Sequence, residues 1–191
     1  MTKIKQKLLL FTAEHKEKML PLSLTAIIIL LDQITKAIIV KINPLHGSVS
    51  GFIKDVFNNE VLLIFHVRNK AIAFSMGDNL PEPVKKAAFI VLPILVLGFL
   101  FWYYFKSDDF TKLQRWAAAG IIGGGIGNII DRVFRPDGVV DFISIKFYGI
   151  LGFDRWPTFN IADSSVVVCC LLLFVSILTV SNKNKEVKTN E

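Results

Sequence analysis

The sequence predicts an all-α membrane protein in which a bundle of four transmembrane helices carries a small β-sheet. Three observations favour this fold class. The 191 residues are 52% hydrophobic, with a mean hydropathy of +0.51. Four segments approach the roughly 20 apolar residues that are needed to cross a hydrocarbon core. The two long connections between these segments contain stretches with the two-residue period of β-strands. A single integral membrane domain over residues 1–191 is therefore expected.

The four predicted transmembrane helices cover about 19–40, 84–105, 113–134 and 161–180. The first follows a basic segment, as in a signal peptide, but its apolar stretch is long, contains Asp32 and Lys36 and precedes no A-x-A cleavage pattern, so it should stay attached. The second is expected to begin after the loop NLPEPVKK, because proline restricts the residue before it. The third contains AAAGIIGGGIG, which lacks the spacing of a nucleotide-binding loop and favours close helix packing.

The two long connections, about 41–83 and 135–160, are expected to supply the sheet. In NEVLLIFHVRNKAIAF, alternate side chains from Val61 to Val67 would share one face. In GVVDFISIKFYG, Asp141 would share a face with its strand neighbours two residues away. Both segments therefore read as strands of a sheet that rests on the helices.

Basic residues indicate the orientation of the chain. Lysine and arginine are concentrated before the first span, in the short connection at 106–112 and in the C-terminal tail. Cytoplasmic flanks carry such an excess, so both termini are expected in the cytoplasm and both long connections outside. Contact with anionic lipid accounts for the net charge of +6, and no nucleic-acid partner is needed. Scattered histidines and two adjacent cysteines predict no metal site, and no other cofactor is expected.

In this orientation, the polar residues of the spans gather at their outer ends. They are Asp32 and Lys36 in the first span, Asn128, Asp131 and Arg132 in the third, Asn160 and Asp163 in the fourth, and Asp141 on the strand between the last two. Asp32 with Lys36, and Asp131 with Arg132, could be ion pairs that let helices pack. Asp141 and Asp163 have no basic residue at helical or strand spacing. Two close carboxylates share a proton, so one can act as a base on water and the other as an acid.

Other functions also fit some of these residues. Lys36 could be the general base for a serine such as Ser48 or Ser50, as in Ser-Lys peptidases. A small proton-coupled transporter could use the carboxylates as a relay, although its carboxylates would be expected at mid-membrane with access from both sides. Metal-assisted hydrolysis by the several aspartates is a further alternative.

Five stretches together resemble the lipoprotein signal peptidases, also called signal peptidase II, which are bacterial aspartic peptidases of the inner membrane. In the family's order they are DQITK at 32–36, RNKAIAFS at 68–75, GNIIDR at 127–132, GVVDF at 138–142 and FNIAD at 159–163. The resemblance covers nearly the whole chain. It implies an endopeptidase that cleaves diacylglyceryl-modified prolipoproteins on the N-terminal side of the lipidated cysteine. We expect a monomer in the inner membrane, in contact with membrane lipid, with its active site on the outer face.

The resemblance also implies roles for individual residues. Asp141 and Asp163 would be the catalytic pair, Asn69, Asn128, Arg132 and Asn160 would line the substrate site, Asp32 and Lys36 would support it, and Asp131 would assist from the end of the third span. The family pattern N-x-G-A-A-F is altered, because Ala71 and Ile72 replace the glycine and the first alanine. Glycine there would permit positive φ or close backbone approach, so this departure concerns the shape of the loop.

Overall fold

The structure is a computed structural model that describes residues 16–45, 50–70 and 81–189. Its α-helices are α1 (Lys16–Met19), α2 (Leu22–Ile42), α3 (Glu82–Lys86), α4 (Leu92–Lys106), α5 (Lys112–Phe134) and α6 (Ile161–Thr189). A π-helix at Ala87–Val91 joins α3 to α4. Each predicted span therefore corresponds to a helix.

Three helical stretches of the described residues are long and apolar enough to cross a membrane. They are Glu17–Ile42, Pro83–Lys106 and Ile161–Val180. The third predicted span forms a helix of 23 residues, α5, but α5 is not among these three, so the count of four is not confirmed. Glycine and polar residues lower the hydropathy of α5, and much of the helix is buried where it packs against α2 and α6.

Some helix ends differ from the prediction. The loop prediction for NLPEPVKK is wrong from Glu82 onward, because α3 begins there. Pro83 falls in the first turn, where its missing N–H forfeits no intrahelical hydrogen bond. At the other end of the chain, α6 continues past 180 to Thr189.

The glycines of α5 allow close contact with the helices on both sides. A Cβ atom at Gly124 would lie 2.4 Å from the carbonyl oxygen of Ala162 in α6. A Cβ at Gly123 would lie 3.1 Å from Cα of Thr25 in α2. The interpretation of the glycine run as a packing surface is therefore confirmed.

A three-stranded antiparallel sheet lies at the C-terminal end of α2. Its strands are β1 (Ser50–Asp55), β2 (Leu62–Asn69) and β3 (Val139–Ile145), in that order. The strands predicted in both long connections are confirmed as β2 and β3, whereas β1 was not predicted. Val140 and Phe142 of β3 pack against Ile39 of α2, which seats the sheet on the bundle.

Backbone hydrogen bonds bring β3 next to the start of α6. Ile143 and Phe159 form an antiparallel bridge, in which the N–H of Ile143 donates to the Phe159 carbonyl at 2.8 Å. The register between β2 and β3 shifts between Ile64 and Val67, and Val67 pairs with Asp141. Such a bulge twists a strand and changes the direction of nearby side chains. Asp141 therefore lies close to the first turn of α6.

Candidate active site

Asp141 and Asp163 both bond to Asn160. The Nδ2 atom of Asn160 donates to Oδ1 of Asp141 at 2.8 Å, and its backbone N–H donates to Oδ2 of Asp163 at 3.1 Å. Asn160 is fully buried and Asp141 is 3% exposed, whereas Asp163 is half-buried. The two carboxylates that lack a basic neighbour in the sequence are thus connected through a single residue.

The position of Asp163 is fixed by the start of α6. Asn160 immediately precedes this helix, and its Oδ1 accepts the backbone N–H of Asp163 at 2.9 Å. Together with the reverse bond from the Asn160 N–H, this makes a reciprocal pair of the capping-box type. A carboxylate in the first turn is also favoured by the helix dipole. The same contacts that begin α6 therefore orient the Asp163 carboxylate.

Two further asparagine amides bind the carboxylates. Asn69 at the end of β2 donates from Nδ2 to Oδ2 of Asp141 at 2.9 Å. Asn128 in α5 donates from Nδ2 to Oδ1 of Asp163 at 2.7 Å, and its Oδ1 accepts from Nδ2 of Asn160 at 3.1 Å. The three asparagines predicted for the substrate site thus converge on the aspartates, where their amides hold both carboxylates in place.

The surroundings of Asp141 favour its neutral form. Burial raises its pKa to about 7, and the negative charge of Asp163 acts in the same direction. Hydrogen bonds from Asn69 and Asn160, and the positive charge of Lys36, oppose this rise. Near neutral pH, Asp141 can therefore carry a proton that an ordinary aspartate would have lost.

A buried ionic network lies behind this pair. The Nζ atom of Lys36 is 2.8 Å from Oδ2 of Asp32, 3.0 Å from Oδ2 of Asp131 and 3.1 Å from Oδ1 of Asn128. The side chains of Lys36 and both aspartates are fully buried. Burying ions costs free energy that their attraction barely offsets, so such a network contributes more to a fixed geometry than to stability.

The network also holds the backbone on which the two central aspartates lie. Oδ1 of Asp32 accepts the N–H of Ala162 at 3.0 Å, and Oδ2 of Asp131 accepts the N–H of Val140 at 3.1 Å. Ala162 precedes Asp163, and Val140 precedes Asp141. Each supporting carboxylate therefore fixes the residue immediately before one of the central aspartates.

Two members of this network were not predicted. Nε of Arg135 is 3.0 Å from Oδ1 of Asp131, and Nε2 of Gln33 donates to the same oxygen at 3.1 Å. The ion-pair partners found for Asp131 are thus Lys36 and Arg135, whereas the sequence suggested Arg132. The spacing of four residues between Asp131 and Arg135 is the signal that could have identified that pair. No comparable periodicity marks Gln33.

Arg132 lies beside the two central aspartates. Its guanidinium is 5.5 Å from the centre of the Phe89 ring, and it interacts electrostatically with Asp141 and Asp163. Arg132 is half-buried, and its positive charge acts on both central aspartates.

The alternative role of Lys36 finds no support in these contacts. Its three N–H donors meet three acceptors in the network, so none is left for a serine. Ser50 begins β1, whereas Ser48 and the altered positions Ala71 and Ile72 lie outside the described residues. Across 16–45, 50–70 and 81–189, no group of three or more His, Cys, Asp or Glu side chains could hold a metal ion.

Comparisons with known proteins converge on one family. A family model described as signal peptidase (SPase) II matches residues 24–179. The chain is 46% identical over 173 residues to a lipoprotein signal peptidase of Treponema denticola, covering 91% of this chain and 96% of the relative. It is 41% identical over 167 residues to the lipoprotein signal peptidase of Treponema pallidum, covering 87% of each chain.

Solved structures resemble the fold as well. A bacterial membrane enzyme determined by the in meso method at 2.3 Å has a TM-score of 0.69 and 26% identity, covering 85% of this chain and 90% of that chain. A second structure, determined by the same method at 1.9 Å, has a TM-score of 0.65 and 26% identity, covering 83% of this chain and 92% of that chain. The fold therefore matches that of two solved bacterial membrane enzymes.

Proposed function

The chain belongs to the signal peptidase II family, and we propose that it acts as an aspartic endopeptidase whose catalytic pair is Asp141 and Asp163. It is a hydrolase that removes signal peptides from prolipoproteins. The observation that carries the proposed mechanism is the connection of the two carboxylates through Asn160, with the pKa of Asp141 raised to about 7.

The two aspartates take different roles. Asp141 is the acid, because burial and the charge of Asp163 keep its proton on until about pH 7. Asp163 is the base. It accepts hydrogen bonds from the backbone of Asn160 and the amide of Asn128, which suit an ionised carboxylate. The pair thus holds one proton before the substrate enters.

Hydrolysis then follows in two steps. Asp163 takes a proton from water while the water oxygen bonds to the scissile carbonyl carbon, and the protonated Asp141 donates a hydrogen bond to the carbonyl oxygen as it gains negative charge. When the tetrahedral intermediate collapses, the carbon–nitrogen bond breaks and Asp141 gives its proton to the leaving nitrogen. The remaining proton lies on Asp163, and transfer between the two carboxylates restores the starting state.

The substrate is a diacylglyceryl-modified prolipoprotein, cleaved on the N-terminal side of the lipidated cysteine. A lipid anchor holds this cysteine at the membrane interface, so its peptide bond meets the catalytic pair at a fixed depth. Arg132 lies at the edge of the pair and can bind a main-chain carbonyl or a lipid ester. The amides of Asn69, Asn128 and Asn160 hold the two carboxylates. Polar atoms of these amides that are not used in those bonds bind the peptide.

The enzyme resides in the bacterial inner membrane as a monomer with a single domain. Both termini are cytoplasmic and the catalytic pair lies at the outer face, as the distribution of basic residues favours. In this arrangement α5 is the fourth membrane helix. Its 23 residues span about 34 Å at 1.5 Å per residue, and its packing against α2 and α6 shields its polar residues from lipid.

Cleavage of one lipidated prolipoprotein in H₂¹⁸O tests the proposed function. Purified enzyme should release a signal peptide that carries one ¹⁸O atom in its new carboxylate, together with a lipidated product that begins with cysteine, both read by mass spectrometry. The less favoured proton-coupled transporter would give proton flux in proteoliposomes and no labelled peptide. Flux without cleavage would overturn the assignment, and undiminished cleavage in strong chelator would exclude metal-assisted hydrolysis.

A further inference from the structure

A cavity lies at the opposite end of the bundle from the catalytic pair. Its volume is about 480 Å³, and its walls come from α1, the turn before α2, the connection between α4 and α5, and the start of α5; they include Leu20, Arg115 and Trp116. The rise of α5 between Arg115 and Asp131 is about 24 Å at 1.5 Å per residue. This cavity is therefore separate from the active site.

Arg115, which lies 5.8 Å from the ring centres of Tyr104 and Phe110, brings to the cavity a positive charge that has no carboxylate partner among the described residues. It is 7% exposed, and it donates from Nη1 to the carbonyl of Tyr104 and from Nη2 to the carbonyl of Ser107, both at 3.2 Å. No carboxylate of the described residues forms an ion pair with it. Carbonyls at the end of α4 carry only partial negative charge, and a guanidinium has five N–H donors. A buried cation of this kind favours an anion in the cavity.

The other charges of the cavity leave an excess of positive charge. Lys18 forms an ion pair with Asp108, so these two largely cancel. Lys112 is exposed at the first position of α5, and Glu17 is the remaining carboxylate of the wall. Lys112 and Arg115 together therefore outweigh Glu17.

Apolar side chains connect the cavity with the lipid-facing surface. Leu20 is 61% exposed and Trp116 is 38% exposed, and Leu20 belongs to a helical stretch apolar enough to cross a membrane. Tryptophan is typical of the level at which lipid headgroups meet acyl chains. An anionic group beside an apolar wall at this level matches the phosphate and glycerol of a phospholipid.

We propose that this cavity binds one anionic glycerophospholipid, with its phosphate between Arg115 and Lys112 and its acyl chains along Leu20 and Trp116. The planar guanidinium suits two phosphate oxygens, and the exposed lysine adds a second positive charge. In the orientation proposed above, the lipid comes from the cytoplasmic leaflet, where anionic headgroups attract basic residues. Binding itself does not depend on the peptidase mechanism.

Native mass spectrometry of the purified full chain in neutral detergent tests this site, with phosphatidylglycerol as the probe. The wild-type protein should retain one phosphatidylglycerol. Arg115→Gln and Lys112→Gln should each weaken its retention at least about tenfold, the value of one charge-assisted hydrogen bond. Lys106→Gln is the matched control, because Lys106 is exposed near the same end of the bundle but does not line the cavity. Lys112 is exposed, so Lys112→Gln decides the outcome if Arg115→Gln does not fold.

Competing ligands separate the sources of the anion. Inorganic phosphate should not displace phosphatidylglycerol, and neutral diacylglycerol should not be retained. Equal retention of diacylglycerol, displacement by phosphate, or equal losses in Lys106→Gln and Lys112→Gln would each overturn the lipid site. Peptidase activity is measured on the same preparation, so an active enzyme that retains no phosphatidylglycerol rejects this inference and leaves the proposed mechanism standing.

Discussion

The side chain of Asn160 has two roles, which two different substitutions can separate: it caps α6 and it binds Asp141. Its Oδ1 caps α6 through the N–H of Asp163, and its Nδ2 binds Asp141 at 2.8 Å. Asn160→Ala removes both contacts. The lost cap costs about 1 kcal/mol, and the lost hydrogen bond to a carboxylate costs about 1.5–3 kcal/mol. The free energy of unfolding should therefore fall by about 2.5–4 kcal/mol in total.

Asn160→Ser is the matched variant. Serine is a good N-cap, so this change keeps an acceptor for α6 and removes only the amide that reaches Asp141. It should be about 1 kcal/mol more stable than Asn160→Ala, while cleavage is impaired in both. Thermal unfolding in detergent compares the stabilities, and initial rates with a lipidated prolipoprotein compare the activities.

The pH dependence of the cleavage rate of Asn160→Ser tests most directly whether Asn160 tunes the pKa of Asp141. The hydrogen bond from Asn160 lowers the pKa of Asp141, so its removal should raise this pKa above about 7. A bond of about 1.5 kcal/mol corresponds to about one pH unit. The alkaline limb of the rate profile should therefore move up by about one unit. A limb that stays in place or moves down would refute the role of Asn160 in tuning Asp141.

Three further outcomes are expected. In the wild-type enzyme, initial rates should fall about tenfold per pH unit above about 7, because Asp141 then loses its catalytic proton; a flat profile to pH 9 would contradict this. Gly124→Ala should lower stability by about 1–3 kcal/mol, since its Cβ would meet the Ala162 carbonyl at 2.4 Å. Gly98→Ala, with nothing within 4 Å of the added Cβ, is its control and should lose none. Lys36→Met removes the ion-pair partner of buried Asp32 and leaves Asp131 with Arg135 alone, so it should cost about 3–5 kcal/mol in thermal unfolding; a loss below about 1 kcal/mol would show that the charge of Lys36 does not hold the network together.

Periodicity predicted the elements that carry the site. The helices and the strands β2 and β3 follow from long apolar runs and from alternating side chains, whereas β1 contains Gly51 and a register shift that obscure its period. The predicted count of four membrane helices is not confirmed, because α5 is buried by its packing against other helices and its hydropathy is lower than that of the three apolar helices. The glycine run predicted that this helix packs closely, but the composition of one segment does not show which helices cover it.

The candidate site was predictable as a set of residue types but not as a set of contacts. The lack of basic neighbours singled out Asp141 and Asp163, and the pattern N-x-x-D at 160–163 has the spacing of a capping box. Bonds from the backbone of Val140 and Ala162 to buried carboxylates have no sequence signal, since every residue has an N–H. These contacts depend on tertiary structure.

The central claim is that Asp141 and Asp163 act together on the scissile bond. The direct measurement is the single-turnover rate of cleavage of a lipidated prolipoprotein by Asp141→Asn and Asp163→Asn, with Asp137→Asn as the control because Asp137 is exposed. Each change in the pair should lower the rate by about 10²–10⁴-fold, the range for loss of a general acid or base, while the control keeps the wild-type rate. Wild-type turnover by Asp141→Asn or by Asp163→Asn would contradict the claim.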